Sequence, residues 1–296
     1  MSVKSRTRSL ARINHKILKE SSVIESTLCE LLTRRQSLNV LEVGFGWGRA
    51  LLELAWRFRD AKVTFHGVDI CQKPPMEKRE DLRAIARQFE IIPPAEVIGI
   101  ELPHVFFYDA TCLHFNDESM DLIYSAVAVQ FMERKAEFLE EVCRVLRPGG
   151  MALLHIGEAN WSYPYSLICH DKILTPWISR FVLKYGNELI PLPVYLKLFE
   201  GDDFNFQFTQ KSRCSIFVSK LKSKSCPLLL EYNRDLSIEM KELQHRDRSG
   251  KIKDGFRSVY DVRPEVYRRL LAEGLLSREQ LRTDIQIPEE FLRAVS

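Results

Sequence analysis

The segment Asn39-Val-Leu-Glu-Val43 is a short β-branched run, and it ends in glycines at alternate positions, Gly44, Gly46 and Gly48. Leu51, Leu52, Leu54, Ala55 and Phe58 follow at helical spacing, so the glycines join a buried strand to a helix. Lacking a Cβ, they permit a tight turn and let the backbone approach a ligand closely. The helix behind them offers free N–H groups. This strand–glycine–helix unit restricts the chain to folds that bind a ligand at the carboxyl edge of a parallel sheet.

The rest of the first half repeats the theme. Lys62–Asp69, Val105–Tyr108, Asp121–Ser125 and Met151–Ile156 read as further strands. A polar helix precedes Pro93-Pro94, and another spans Glu133–Leu146 with Phe138, Leu139, Val142 and Leu146 on one face. Strands alternating with helices imply βαβ units and a parallel sheet. Before them, Leu10, Ile13, Ile17, Ile24, Leu28 and Leu31 recur at helical steps, giving a helical arm over residues 1–36. After Gly157 the alternation stops. Residues 159–203 are rich in aromatic residues and proline, and read as a mostly helical insertion, with Trp177, Phe181 and Tyr185 spaced by four on packing helices. Phe204–Phe208 alternates strictly and Cys214–Leu221 is another strand, so 204–223 reads as a hairpin. Residues 224–296 read as a charged helical extension, leaving 37–158 as the core.

Charge and cysteine content narrow the class. Lys+Arg number 43 and Asp+Glu 40, a formal charge of +3, too even to announce a nucleic-acid binder. No apolar run approaches the roughly 18–20 residues of a membrane span, and the basic N-terminus has no apolar stretch of a secretory signal behind it. The seven cysteines are scattered, with no C-x-x-C pair and no histidines at ligand spacing, so reduced thiols, no metal and a cytoplasmic location are expected.

The glycine spacing departs from a dinucleotide fingerprint, which would want glycine where Arg49 stands. Glu42, two residues before the first glycine, would repel a pyrophosphate and suit a positively charged ligand. Asp69 ends the second strand and can accept both hydroxyls of a ribose. Asp109 ends the third, where it can accept from an adenine amino group while the Ala110 N–H donates to a ring nitrogen. Read singly, Glu42 serves equally well as a helix cap and Asp69 as a turn residue. Phe45 and Trp47 are bulky for such a loop: they cover a ligand or, as first expectation, pack on the N-terminal helix.

Together these residues resemble the class I S-adenosylmethionine-dependent methyltransferases. The matching residues are Glu42-x-Gly44-x-Gly46-x-Gly48, Asp69, Asp109-Ala110, Phe115–Ser125 and Arg147-Pro-Gly-Gly150, the last as a helix stop and turn. The likeness covers about residues 38–157. It implies a Rossmann-like, doubly wound, mostly parallel seven-stranded sheet whose terminal antiparallel hairpin is 204–223. It also implies S-adenosylmethionine as cofactor, held by Glu42, Gly44, Phe45, Gly46, Gly48, Asp69, Ile70, Asp109, Ala110, Ser125 and Ala126.

The family has no universal catalytic residue, because the cationic sulfur already activates the methyl group and the protein mainly aligns a nucleophile. Where relatives often place a histidine after the fourth strand, this chain has Gln130, which can orient a substrate but cannot take its proton near neutral pH. His114, His155, Glu158 and His170 are the candidate bases. Trp161, Tyr163, Tyr165 and His170 are the candidate acceptor-binding residues. The segment Ser125-Ala-Val-Ala lacks the Asn/Asp-Pro-Pro turn of nucleobase amino-methylating enzymes and the metal-binding acids of catechol-type ones. The expectation is thus metal-free, in-line transfer to a small, partly apolar or aromatic acceptor, with nucleic acid not expected as partner. Two alternatives stand: a non-catalytic scaffold on the same fold, and an RNA methyltransferase using the basic arm. That arm carries Lys4, Arg6, Arg8, Arg12, Lys16 and Lys19 with no acid before Glu20. Six charges exceed the surplus of +3, so the remainder nets −3.

Overall fold

The computed structural model describes residues 10–70, 76–126, 128–129, 132, 135–155, 165–169, 172–173, 182–185, 188–191, 203–209, 212–223, 239–246, 252–261, 268, 271–272, 277–279 and 293. The chain divides into two compact units: Met1–Val129 with Phe138–Ile156 and Gly201–Ser225, and Gln130–Glu137 with Gly157–Glu200 and Cys226–Ser296.

In the first unit, helices α1 (Leu10–Leu18) and α2 (Val23–Arg34) precede strand β1 (Leu38–Val43). The apolar side of α1 (Leu10, Ile13, Ile17) and that of α2 (Val23, Ile24, Leu28, Leu31) are buried. The turn between them is fixed by Asn14, itself fully buried. Its Nδ2 donates to the Ser21 carbonyl (2.9 Å) and to Glu25 (2.6 Å), and its Oδ1 accepts from the Ile24 N–H (3.0 Å). A buried amide is tolerated because it is paired in this way.

Then follow α3 (Arg49–Arg57), β2 (Val63–Asp69), α4 (Asp81–Gln88), β3 (His104–Phe107), β4 (Met120–Ser125), α5 (Lys135–Val145) and β5 (Leu146–His155). Four short strands of the second unit come next: β6 (Tyr165–Cys169), β7 (Lys172–Ile173), β8 (Val182–Tyr185) and β9 (Glu188–Pro191). The chain returns to the first unit with β10 (Phe204–Thr209) and β11 (Ser212–Lys220), and β12 (Glu239–Arg246) and β13 (Ile252–Asp261) close the list.

The first unit's sheet has seven strands in the order β10-β11-β5-β4-β1-β2-β3. Strands β1 to β5 pair in parallel, and β11 runs antiparallel to both β5 and β10. This is the doubly wound sheet with a terminal hairpin that the resemblance implied. The chain runs outward from β1 through β2 to β3, then restarts with β4 on the other side of β1. The carboxyl ends of β1 and β4 therefore flank the point where the winding reverses, the place where open α/β sheets bind ligands.

A buried carboxylate pins the opposite end of the sheet. Asp121 is fully buried and accepts from Arg35 (2.8 Å), the Asn39 N–H (2.7 Å) and Arg147 (3.1 Å), and Arg35 also donates to the Pro148 carbonyl. Arg147-Pro-Gly-Gly150 follows the helix stop as expected and continues into strand rather than ending in a turn alone. The helix ends at Val145, and these residues form an irregular start of β5, where the pairing steps from Met120↔Leu146 to Leu122↔Met151. Gly149 takes a left-handed φ of 77° there. The hairpin is tied to α5 by Lys220, only 1% exposed, whose Nζ donates to the Cys143 carbonyl (3.0 Å) and pairs with Glu118 (3.1 Å).

The second unit departs from expectation. Its described stretches within 159–203 are strands, not helices, and β12 and β13 replace helix in part of 224–296, with helical positions at 268, 271–272, 278–279 and 293. Strands β12-β13-β6-β7 form one sheet and β8-β9 a separate hairpin. The four-residue spacing of Trp177, Phe181 and Tyr185 suggested a helix, yet Tyr185 ends a strand paired with Glu188. Between them the sequence reads Gly186-Asn187, a pair suited to a two-residue hairpin turn. In β13, Phe256, Val259 and Tyr260 are β-favouring side chains that the charged neighbours disguised.

Candidate cofactor site

The glycine loop leaves β1 at the carboxyl edge with three left-handed residues, at φ 77° for Gly44, 60° for Gly46 and 67° for Gly48. The Gly44 N–H donates to the Val68 carbonyl (2.7 Å) and the Gly48 N–H to Phe45 (2.9 Å), which closes the turn into α3. The two outer glycines are crowded: a Cβ on Gly44 would lie 2.1 Å from the Ala128 Cβ, and one on Gly48 would lie 2.8 Å from Leu82. Among the described residues nothing lies within 4 Å of a Cβ placed on Gly46, so the middle of the loop is open on their side.

Asp69 reaches this loop from the end of β2. Its Oδ2 accepts from the Gly46 N–H at 2.8 Å. The carboxylate thus stands at the rim of the open face, where a ribose diol would find an acceptor. Ile70, next in sequence, is 68% exposed, an apolar surface fit for the face of an aromatic base.

Glu42 lies beneath the loop, 3% exposed, and accepts from the Tyr124 hydroxyl at 3.0 Å. The contact follows from the register, since Glu42 pairs directly with Tyr124 across β1 and β4. Burial first, and the Glu42 carboxylate second, push the Tyr124 phenol well above its ordinary pKa, so it stays a hydrogen-bond donor. Sequence reasoning missed Tyr124. Its one signal is a phenol inside the otherwise apolar run of β4, which demands a buried polar partner.

Asp109 is exposed and accepts from the Thr111 N–H (2.9 Å). Its backbone carbonyl accepts from the Cys112 N–H (3.1 Å), so Asp109 and Ala110 sit in a tight turn after β3. Ser125 ends β4 fully buried, and its hydroxyl has no hydrogen-bond partner among the described residues. A buried polar atom left so costs about 1–3 kcal/mol. Ala126 beside it is 5% exposed.

The two bulky loop residues, Phe45 and Trp47, both pack on other rings. Phe45 does not line the open face. It is 5% exposed, packs on Phe107 at 5.6 Å between ring centres, and would be struck at 2.8 Å by a Cβ on Gly67. It is the apolar floor under the loop, because the turn that leaves Gly46 outward sends its neighbour's side chain inward. Trp47 packs on Phe89 beyond α4 at 5.5 Å, and the Arg49 guanidinium covers the same ring at 3.6 Å.

Of the candidate bases, His155 is 1% exposed with Nδ1 3.1 Å from Ser215 Oγ, and His114 stacks on Tyr108 at 4.1 Å. Gln130, Glu158, Trp161, Tyr163 and His170 lie outside the described residues, and Tyr165 is the first residue of β6. Among the described residues no three His, Cys, Asp or Glu side chains gather as a metal site.

The described donor set fits S-adenosylmethionine. The left-handed loop open at Gly46 would give backbone room for the methionine part, Asp69 an acceptor for the ribose, and Ile70, Asp109 and Ala110 an apolar face and polar rim for adenine. A buried carboxylate behind the loop, in place of a cation, suits a ligand with a positive centre.

Part of the chain is similar to known proteins. Residues 41–154 match the family model described as a methyltransferase domain. A stretch of 124 residues, 42% of this chain and 41% of the relative, is 30% identical to the malonyl-[acyl-carrier protein] O-methyltransferase of Salmonella typhimurium. A stretch of 53 residues is 52% identical to the Methylococcus capsulatus protein of that name, over 18% of this chain and 19% of that one. The chain thus matches less than half the length of either relative. The structure of an arsenic(III) S-adenosylmethionine methyltransferase from Chlamydomonas reinhardtii matches at 28% identity over 39% of this chain and 37% of that one, with a TM-score of 0.30. With the motifs of the glycine loop, Asp69 and Asp109 all inside or beside the matched span, residues 41–154 form a methyltransferase domain of the class I S-adenosylmethionine-dependent family.

Proposed function

We propose that the chain transfers a methyl group from S-adenosylmethionine to a carboxylate oxygen at the end of a short acyl chain. The observation that carries the donor half is the open face at Gly46 with the Asp69 carboxylate on its rim. The acceptor half is supported by the 124-residue likeness to an enzyme named as a malonyl-[acyl-carrier protein] O-methyltransferase.

Chemistry makes the pair consistent. The cofactor, when bound, supplies a methyl group on cationic sulfur. A carboxylic acid with an ordinary pKa near 4 is already ionised at neutral pH, so the nucleophile needs no base to remove a proton. A glutamine at position 130 is then sufficient, because only orientation is asked of it. The protein's own residues hold the donor, exclude water and align the carboxylate oxygen in line with the sulfur–methyl bond. That oxygen forms the new bond as the sulfur keeps the electron pair of the old one, giving a methyl ester and S-adenosylhomocysteine.

Calorimetry with S-adenosylhomocysteine and labelled-methyl transfer test this reading. Saturable binding is expected, weakened at least about tenfold by Asp69→Ala, which removes a charge-assisted hydrogen-bond acceptor. Label should reach a malonyl thioester and not an acetyl thioester, which lacks the free carboxylate. No binding, or equal transfer to both thioesters, overturns it.

A further inference from the structure

We infer that a cleft at the amino edge of the sheet, between the end of α3 and the entry to β3, binds a small organic cation with an apolar body. It stands apart from the cofactor loop and does not depend on the acceptor.

The cleft has a volume of about 420 Å³. Small-molecule sites run from about 300 to 1,000 Å³. Its floor is apolar: Ala55, Phe65, Ile100 and Leu102 line it and are buried. One wall is the end of α3 and the turn after it, with Trp56, Phe58, Arg59 and Asp60. The other belongs to the segment from Glu96 to His104. Both walls are pinned. The Trp56 indole N–H donates to Glu96 Oε2 (2.7 Å) and so joins one wall to the other. The Gly99 N–H donates to the Glu96 carbonyl (3.2 Å), and Arg79 donates to the carbonyls of Leu102 and Pro103. A cleft held in this way is formed before a ligand arrives, which lowers the entropy lost on binding.

Its place is distinct from that of the glycine loop. Thr64 lines the cleft near the start of β2, and Asp69 ends the same strand beside Gly46. Five residues of strand separate the two by roughly 17 Å. All of these residues belong to the first unit.

The charge selects the ligand. Arg59 is already engaged: its guanidinium donates to the Trp56 carbonyl (2.9 Å) and stands 3.6 Å from Glu96. Burial first, and the charge of Arg79 second, lower the His104 pKa against the opposing effect of Glu101, so this imidazole is neutral at neutral pH. Asp60 and Glu101 are exposed at the cleft. Ala55 and Trp56 lie in the last turn of α3, where the helix dipole presents its negative end. An anion would meet two carboxylates and that pole. A metal ion is poorly served, since among the described residues no three His, Cys, Asp or Glu side chains gather. The Trp56 ring already carries the Arg59 guanidinium at 5.4 Å from its centre, the attraction that a ligand cation would use on an aromatic wall. An arylalkylamine suits both parts, with its ring on the apolar floor and its ammonium towards Asp60 and Glu101.

The experiment titrates the full chain with phenethylamine, 2-phenylethanol and phenylacetate, which share a ring and differ in charge. Calorimetry gives the affinities, and backbone amide NMR shifts give the place. Phenethylamine should bind saturably and at least about tenfold tighter than the other two. Its shifts should centre on the end of α3, the start of β2 and the segment before β3. Asp60→Asn/Glu101→Gln, at two exposed positions, should remove most of that preference without lowering Tm. Saturating S-adenosylhomocysteine should not displace the amine. The inference fails if phenethylamine does not bind, if the three probes bind alike, if the double variant binds the amine as tightly as wild type, or if S-adenosylhomocysteine displaces it. Amine binding here in a protein that does not bind S-adenosylhomocysteine would instead refute the cofactor reading and leave this site standing.

Discussion

Alanine at Gly44 and at Gly46 makes a matched pair of perturbations, because the backbone cost is shared and the surroundings differ. Both residues are left-handed, at φ 77° and 60°. A side chain in that region costs roughly 1–2 kcal/mol. At Gly44 the new methyl would also lie 2.1 Å from the Ala128 Cβ, so the segment carrying Ala128 must move. Overpacking of that kind adds about 1–3 kcal/mol. At Gly46 no described residue lies within 4 Å, and no such addition arises. With roughly 2–4 °C of melting temperature per kcal/mol in a domain of this size, Gly46→Ala should lower Tm by about 2–8 °C and Gly44→Ala by about 4–20 °C. Binding should be hurt at both sites, but for different reasons. Gly46→Ala keeps the fold and puts a methyl group in the space reserved for the cofactor, so S-adenosylhomocysteine affinity should fall by ten-fold or more at a temperature where the variant is fully folded. Thermal denaturation and isothermal calorimetry on the same samples separate the two effects. Wild-type affinity in folded Gly46→Ala would refute the assignment of the open face to the cofactor. Equal melting temperatures for the two variants would refute the contact with Ala128.

Tyr124→Phe removes a donor from the buried Glu42 carboxylate and should destabilise the protein by about 1.5–3 kcal/mol, the range for hydrogen bonds to charged groups. Urea denaturation measures it, and a change below about 0.5 kcal/mol would show that the contact is unimportant. Stability should also fall with acid through His66. Burial first, and His104 second, lower its pKa from 6.5 to about 4, and the two rings stack at 5.4 Å. Between those pH values the unfolded chain takes up a proton that the folded chain refuses, so stability present above pH 6.5 is lost as pH falls towards 4. Melting temperatures of wild type and His66→Phe across pH 4–7 should show a shallower decline in the variant; parallel curves would exclude His66 as a source.

The sheet was legible because its signals are local. Each parallel strand from β1 to β5 is a short apolar run, and helices between them carry one apolar stripe. The hairpin β10–β11 announced itself by strict alternation at Phe204–Phe208. What sequence spacing could not supply was long-range pairing. Asp121 reads as an ordinary acid before an apolar run, yet Arg35 and Arg147, 86 and 26 residues away, converge on it. The second unit failed for the opposite reason. Spacing by four among aromatic residues is compatible with a helix, and a strand of four residues such as Val182–Tyr185 is too short to show its own period.

The candidate site was legible to a similar depth, and the difference is informative about how such sites are built. Residues proposed to meet the cofactor through the backbone or by a short charged side chain, the glycines with Asp69 and Asp109, stand at or just past strand ends whatever the rest of the chain does. Their positions follow from the motif alone. Residues that hold those groups in place depend on which strands become neighbours. Phe45 illustrates the point: its place in the motif suggests the ligand, but Gly67 on β2 leaves a hollow, and Phe45 fills it together with Leu51 of α3 while packing on Phe107. Glu42 illustrates it further. As a sequence feature it is an acid near a ligand loop. In the structure it is 3% exposed and bonded to a tyrosine that is fully buried. Removing two such polar groups from water costs several kcal/mol unless they are paired. The pair is satisfied only when β1 and β4 are in register, with Glu42 opposite Tyr124. The same bond that places a negative charge behind the glycine loop therefore penalises any slip of the two strands that frame it, so the loop's electrostatics and the sheet's register are set by one contact.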